Sequence, residues 1–193
     1  MAGLGSVATA ETPATQTGTL TENGNSLDEW TVLNDAFGSQ TSYAFEGERS
    51  FGLRDRDLRK RVAVYEPEEM ADGIRPSSFT VYWLELRESF GGGMRFVDSD
   101  GNVIGGFATD NPEWYVEHSE PDTLEQIGET ATGYETWVET TVSFDWSAGT
   151  MTVTFANTAA SDNRASTTVP LIEDSDIARV EVQNFASTVD EKT

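Results

Sequence analysis

The stretch TWVETTVSFDWSAGTMTVTFAN, residues 136–157, most constrains the fold, because apolar and polar side chains alternate along both of its halves. A period of two is typical of antiparallel strands with one buried face and one wet face. Between the halves, Gly149 can adopt the positive φ that a tight turn requires. The stretch therefore predicts a β-hairpin with one face in a core. The residues on that face are Val138, Thr140, Val142, Phe144, Met151, Val153 and Phe155.

Short strand-like stretches recur along the chain from Leu27, separated by turn residues about every 8–12 positions, which is typical of a sandwich or jelly roll. Residues 79–86, FTVYWLEL, are apolar on both faces and predict a central strand, whereas the acidic residues 117–133 predict a loop. Residues 67–71 predict at most one helical turn. The predicted fold class is all-β, an antiparallel β-sandwich.

Residues 1–25 differ from the rest, because they are rich in Ala, Thr, Gly and Ser and have almost no large apolar side chain. Such a segment cannot bury enough apolar surface to order itself. We therefore divide the chain into an N-terminal arm, residues 1–25, and a sandwich domain, residues 26–193. Small side chains suit a strand added to a neighbour's sheet edge, so we expect the arm to mediate assembly.

The charge balance indicates the environment of the protein. The chain carries 34 Asp and Glu against 12 Lys and Arg, a formal charge of −22, and its two lysines are Lys60 and Lys192. Molar salt screens such self-repulsion to a Debye length of roughly 3 Å. We therefore interpret the chain as halophilic, with an acidic secreted bacterial domain as the alternative. Nucleic acid is not an expected partner, because phosphate binding requires a positive face.

The location is predicted from what the sequence lacks. There is no cysteine, which excludes disulfides and Cys-ligated metals. No apolar run approaches the length of a membrane span, so we expect no membrane insertion. The N-terminal residues 1–18 have no basic n-region and no apolar h-region, so we expect synthesis in a high-salt cytoplasm without a signal peptide.

Four stretches together carry a family resemblance: YAFEGERSFGL (43–53), PSSFTVYWL (76–84), RFVDSDGNVIGGF (95–107) and WVETTVSFDWSAGTMTVTF (137–155). Their succession resembles the concanavalin A-like lectin/glucanase superfamily in its laminin-G-like form, over about residues 27–186. The resemblance implies a curved jelly roll whose concave face or rim loops often bind glycans, with a structural calcium in many members. It is a pattern of strands, and so supports fold more than function.

No catalytic pair is predicted. Glucanases of the superfamily carry Glu-x-Asp-x-x-Glu on one strand, and retaining glycosidases need two carboxyl groups about 5 Å apart. The nearest stretch, Glu85-Leu86-Arg87-Glu88, lacks the middle Asp, and its two Glu point to opposite faces of a strand. His118 lies in an acidic stretch with no apparent triad partner and predicts an exposed loop histidine. We therefore expect no enzymatic activity.

Asp98, Asp100 and Asn102 have the alternate spacing of oxygen ligands in a calcium loop. The stretch lacks the bidentate Glu at the twelfth position. It also fits a hairpin turn in which Asp and Asn accept backbone hydrogen bonds and Gly101 adopts positive φ. Both alternatives, calcium and turn, remain open on the sequence alone.

Exposed aromatic rings next to polar side chains would suit a sugar, because a pyranose stacks on a ring face. The candidates for glycan binding are Trp114, Tyr115, Trp146 and Asn111. Trp114 is expected to be exposed, because it follows a loop containing Asn111 and Pro112. Trp146 lies at the tip of the central hairpin, where it is either exposed or folded back over the core.

Five of the twelve cations cluster within residues 54–61: Arg54, Arg56, Arg59, Lys60 and Arg61. In so acidic a chain, this cluster predicts a docking patch for an acidic neighbour. The alternative is a local ladder of ion pairs with Asp55 and Asp57, each of which contributes little.

These features together predict a non-catalytic structural or binding module, a turret, spike or fibre protein on the virion surface of a haloarchaeal virus. Its expected partners are further copies of itself, other virion proteins and host cell-surface glycans or glycoproteins. The alternative is an extracellular or cell-surface glycan-binding module, or a glycoside hydrolase, of a haloarchaeon.

Overall fold

The computed structural model describes residues 27–33, 37–40, 48–53, 60–85, 91–110, 112–129 and 136–185, so the predicted arm lies outside it. The described chain forms β-strands and one short 3-10 helix, Glu68–Met70, where at most one helical turn was predicted. The strands are β1 (Trp30–Val32), β2 (Phe37–Gln40), β3 (Ser50–Leu53), β4 (Lys60–Tyr65), β5 (Ser78–Glu85), β6 (Gly91–Val97), β7 (Val103–Asp110), β8 (Glu113–Glu117), β9 (Leu124–Glu129), β10 (Thr136–Asp145), β11 (Thr150–Asn157), β12 (Arg164–Pro170) and β13 (Arg179–Phe185).

Two antiparallel sheets form the two layers of a sandwich. The larger sheet has the order β1-β4-β13-β6-β7-β8-β9, and the smaller has the order β12-β11-β10-β5. β2 and β3 pair with each other as a separate hairpin. The predicted all-β sandwich is therefore confirmed, whereas the concanavalin A-like jelly roll stays a prediction.

The central hairpin forms as its alternation predicts. β10 and β11 pair in unbroken register from Val138 opposite Asn157 to Asp145 opposite Thr150. The predicted inward residues are all buried, with Phe144 the most accessible at 9%. At the turn, Gly149 has φ +64°, and a carboxylate oxygen of Asp145 accepts hydrogen bonds from the backbone of Ser147 and Ala148. Turn chemistry and burial therefore specify the same register.

Aromatic side chains fill the space between the sheets. Phe96 of β6 meets Phe144 of β10 edge to face, with ring centroids 5.2 Å apart. Phe107 of β7 meets Phe155 of β11 in the same way at 6.0 Å. Such pairs contribute beyond their area of burial, so they set how the two sheets lie on each other.

Two adjacent glycines of β7 make room on opposite faces of the larger sheet. A Cβ atom on Gly105 would lie 2.7 Å from the side chain of Met151, inside the core. A Cβ atom on Gly106 would lie 2.6 Å from the carbonyl oxygen of Met94 and 2.9 Å from a carboxylate oxygen of Glu117, on the outer face. Gly106 therefore allows charged side chains to lie flat against the outer face.

Two stretches differ from their predictions. Among the described strands, β5, predicted to be central, is the end strand of the smaller sheet, and β10 pairs along its whole length. The predicted acidic loop, residues 117–133, contains β9, which pairs with β8, so the prediction of a loop is wrong for this part.

Candidate functional site

Trp114 provides no surface for a sugar, because its side chain is fully buried. The ring stacks on Phe155 of β11, with centroids 5.4 Å apart and planes 7° apart. Gly128 of β9 allows this, since a Cβ atom there would lie 3.1 Å from the ring. The predicted exposure is therefore wrong. Strand β8 begins at Glu113, so the alternation of the strand directs Trp114 into the core.

Trp146 folds back from the hairpin tip, which was one of the two predicted alternatives. Its ring stacks on Phe144, with centroids 4.9 Å apart and planes 9° apart. Its indole N–H donates a hydrogen bond to the carbonyl oxygen of Pro76 at 2.8 Å. The guanidinium carbon of Arg75 lies 5.0 Å from the ring centroid, within cation–π range. The ring is therefore part of the packing at the edge of the core.

Tyr115 lies on the face of β8 opposite Trp114, and its hydroxyl donates a hydrogen bond to a carboxylate oxygen of Glu113. Burial and this carboxylate raise the pKa of the Tyr115 hydroxyl far above its usual value, so the hydroxyl stays protonated and acts as a donor. Asn111, the remaining predicted residue, lies outside the described chain. The described side chains of the predicted glycan site therefore do not converge on one surface.

Asp98 organises the turn between β6 and β7. Its side chain is only 6% exposed. One carboxylate oxygen accepts hydrogen bonds from the backbone N–H groups of Asp100 at 2.9 Å and Asn102 at 2.8 Å. The other accepts from the Asn102 amide at 2.9 Å and the Ser175 hydroxyl at 3.0 Å. This is the geometry of the hairpin-turn alternative, completed by Gly101 at φ +92°.

The hydrogen bonds to Asp98 also decide its ionisation. Desolvation acts to raise the pKa of the Asp98 carboxyl, but the donors from Asn102, Ser175 and Asp100 outweigh it and hold that pKa below its usual value. A cavity of about 280 Å³ opens beside the turn, lined by Asp98, Asp100 and Asp176 among others. No group of three or more His, Asp or Glu side chains suited to a metal ion occurs in the described chain. Calcium therefore stays a prediction.

The predicted docking cluster lies mostly outside the described residues. Arg54, Arg56 and Arg59 fall outside them, and Lys60 is described only in its backbone. A guanidinium nitrogen of Arg61 lies 2.7 Å from a carboxylate oxygen of Glu181, which lies 120 positions away on β13. Arg61 therefore forms an ion pair with another strand, whereas Asp55 and Asp57 of the predicted local ladder lie outside the described residues.

The outer face of the larger sheet carries a buried ion pair that sequence reasoning missed. Arg95 of β6 is 9% exposed and Glu117 of β8 is 1% exposed. Two guanidinium nitrogens of Arg95 donate to the two carboxylate oxygens of Glu117, at 2.6 and 2.5 Å. The same guanidinium donates to Asp122, whose own backbone N–H donates to Glu117 at 2.6 Å. One cation therefore holds the loop between β8 and β9 against the sheet.

Desolvation acts to lower the pKa of the Arg95 guanidinium, yet its hydrogen bonds to Glu117 and Asp122 raise it overall. The Arg95 guanidinium therefore stays charged at any pH at which the protein folds. In such a bidentate geometry the two charges compensate each other, and two nitrogens of one group donate hydrogen bonds to two oxygens of the other. The network can join strands, but its groups are not available to a substrate.

The loop between β8 and β9 also contains a chain of hydrogen bonds around the single histidine. The Ser119 hydroxyl lies 2.7 Å from His118 Nδ1, and His118 Nε2 lies 2.8 Å from a carboxylate oxygen of Glu125. The expected exposure is wrong in part, because the His118 side chain is only 18% exposed. Ser119 has φ +69°, a strained conformation for a non-glycine residue.

This chain of bonds has the order of a serine nucleophile, a base and an orienting carboxylate. The loop and its flanks also carry Glu117, Glu120 and Asp122. A developing oxyanion requires donors and positive potential, and this concentration of carboxylates opposes both. The arrangement suits a hydrogen-bonded surface loop better than acyl transfer.

The missed residues had only weak signals in the sequence. Arg95 and Glu117 lie at outward positions of their strands, which predicts solvated charges. The adjacent glycines of β7, Gly105 and Gly106, were the available signal, because they leave space for close contacts on both faces.

No family model matches the chain, and no curated protein matches it. In the described residues, no helix is both long and apolar enough to cross a membrane.

Proposed function

We propose that this chain is a non-catalytic structural and binding module of the concanavalin A-like type, displayed on the virion surface of a haloarchaeal virus. A formal charge of −22 in a chain that nevertheless contains an all-β sandwich supports the high-salt setting. Its partners are further copies of the chain and other virion proteins. The external contact is a host-surface glycan or glycoprotein.

The state of the buried charges is the observation that carries the non-catalytic assignment. Arg95, Asp98, Glu117 and Glu181 are the buried charged side chains of the described chain, and each bonds within the sandwich. A catalytic group must instead be held facing a reacting atom. The buried charges therefore stabilise the sandwich, and the partners are bound by exposed side chains.

Immunogold electron microscopy tests the location. An antibody against the purified chain should label the outside of intact virus particles from the source culture, without detergent. The controls are preimmune serum and the same antibody absorbed beforehand with purified chain. Label confined to the cell interior, or absent from particles, would contradict the proposed location.

A glycan array in molar salt tests the external contact. Binding without release of reducing sugar from the bound polymers is the expected result. Release of reducing sugar that Glu85→Gln abolishes would contradict the non-catalytic assignment.

A further inference from the structure

We draw no further inference here: the strongest candidate, the set of paired hydroxyl side chains on the outward face of the smaller sheet, such as Thr152 with Thr168, carries nothing because no observation within the described residues shows what covers this face.

Discussion

Thr140 shows how a single side chain can be at odds with its surroundings. It lies on the buried face of β10 with 0% exposure, and its hydroxyl has no hydrogen-bond partner in the described chain. A buried hydroxyl without a partner costs about 1–3 kcal/mol of desolvation. The β-branched shape of the threonine side chain suits a strand. Its buried hydroxyl, by contrast, lowers the stability of the fold.

We therefore expect Thr140→Val to raise the free energy of unfolding by about 1 kcal/mol, because it keeps the shape and removes the hydroxyl. Thr152→Val is the control, since its partly exposed hydroxyl already bonds to Thr168, and it should change stability by less than about 0.5 kcal/mol. Urea titration in molar salt measures both. A destabilised Thr140→Val variant would indicate that the hydroxyl bonds to a group outside the described residues.

Asp98 gives the stability a pH dependence with a definite sign. Because its folded pKa is lowered, the stability that it contributes is fully present above its unfolded pKa of about 3.9 and is lost as the pH falls through the folded value. The stability difference between wild type and Asp98→Asn should thus be constant above about pH 5 and shrink below about pH 4.

Asp100→Asn is the matched control for Asp98, because it removes one charge from an exposed position of the same turn. Denaturant midpoints between about pH 3 and pH 7 measure the differences. A difference for Asp98→Asn that stays the same across this range would show that the hydrogen bonds do not favour the ionised carboxyl.

At the scale of elements, the Arg95–Glu117 pair joins strands β6 and β8 across β7. Gly106 of β7 lies between them, and the two side chains use the space that a Cβ atom would occupy there. The pair also holds Asp122 and hence the loop that leads to β9. Three strands and a loop therefore depend on one buried ion pair.

A double-mutant cycle tests this dependence. Arg95→Met or Glu117→Met alone should each cost about 3–5 kcal/mol, because a buried charge is left without its main partner. The double variant should cost clearly less than the sum of the two single variants. Arg61→Met is the control, since the pair with Glu181 is half exposed on the arginine side and should cost about 1 kcal/mol or less. Additive costs in the cycle would contradict direct coupling.

For the whole molecule, the dominant feature is a charge of −22 on a two-layer sandwich. We expect the thermal midpoint to fall steeply as NaCl or KCl decreases from molar concentration to 0.1 M. The reason is that the Debye length grows from roughly 3 to 10 Å, so carboxylates repel one another over longer distances. Circular dichroism melts at fixed pH measure the effect. A midpoint that does not change with salt would remove the halophilic interpretation and, with it, the setting of the proposed function.

The sequence by itself determined the features that depend on residues close together along the chain. Alternation along β10 and β11 specified which side chains are buried, because a period of two assigns every residue of a strand to one face. The turn at Asp145–Gly149 followed from local hydrogen bonds and from one glycine. The charge and the sandwich class followed from composition and from the spacing of short strands.

Only the tertiary structure decided which strands lie beside one another and therefore which side chains meet. β5 has the composition of a central strand and is the end strand of its sheet among the described strands. Trp114 follows a proline loop and lies in the core. Arg95 and Glu117 are 22 positions apart, and Arg95 and Asp122 are 27 apart. Contacts at such separations leave no local periodicity, because they arise from the order of strands in the sheet, and that order is set by the packing of the whole core.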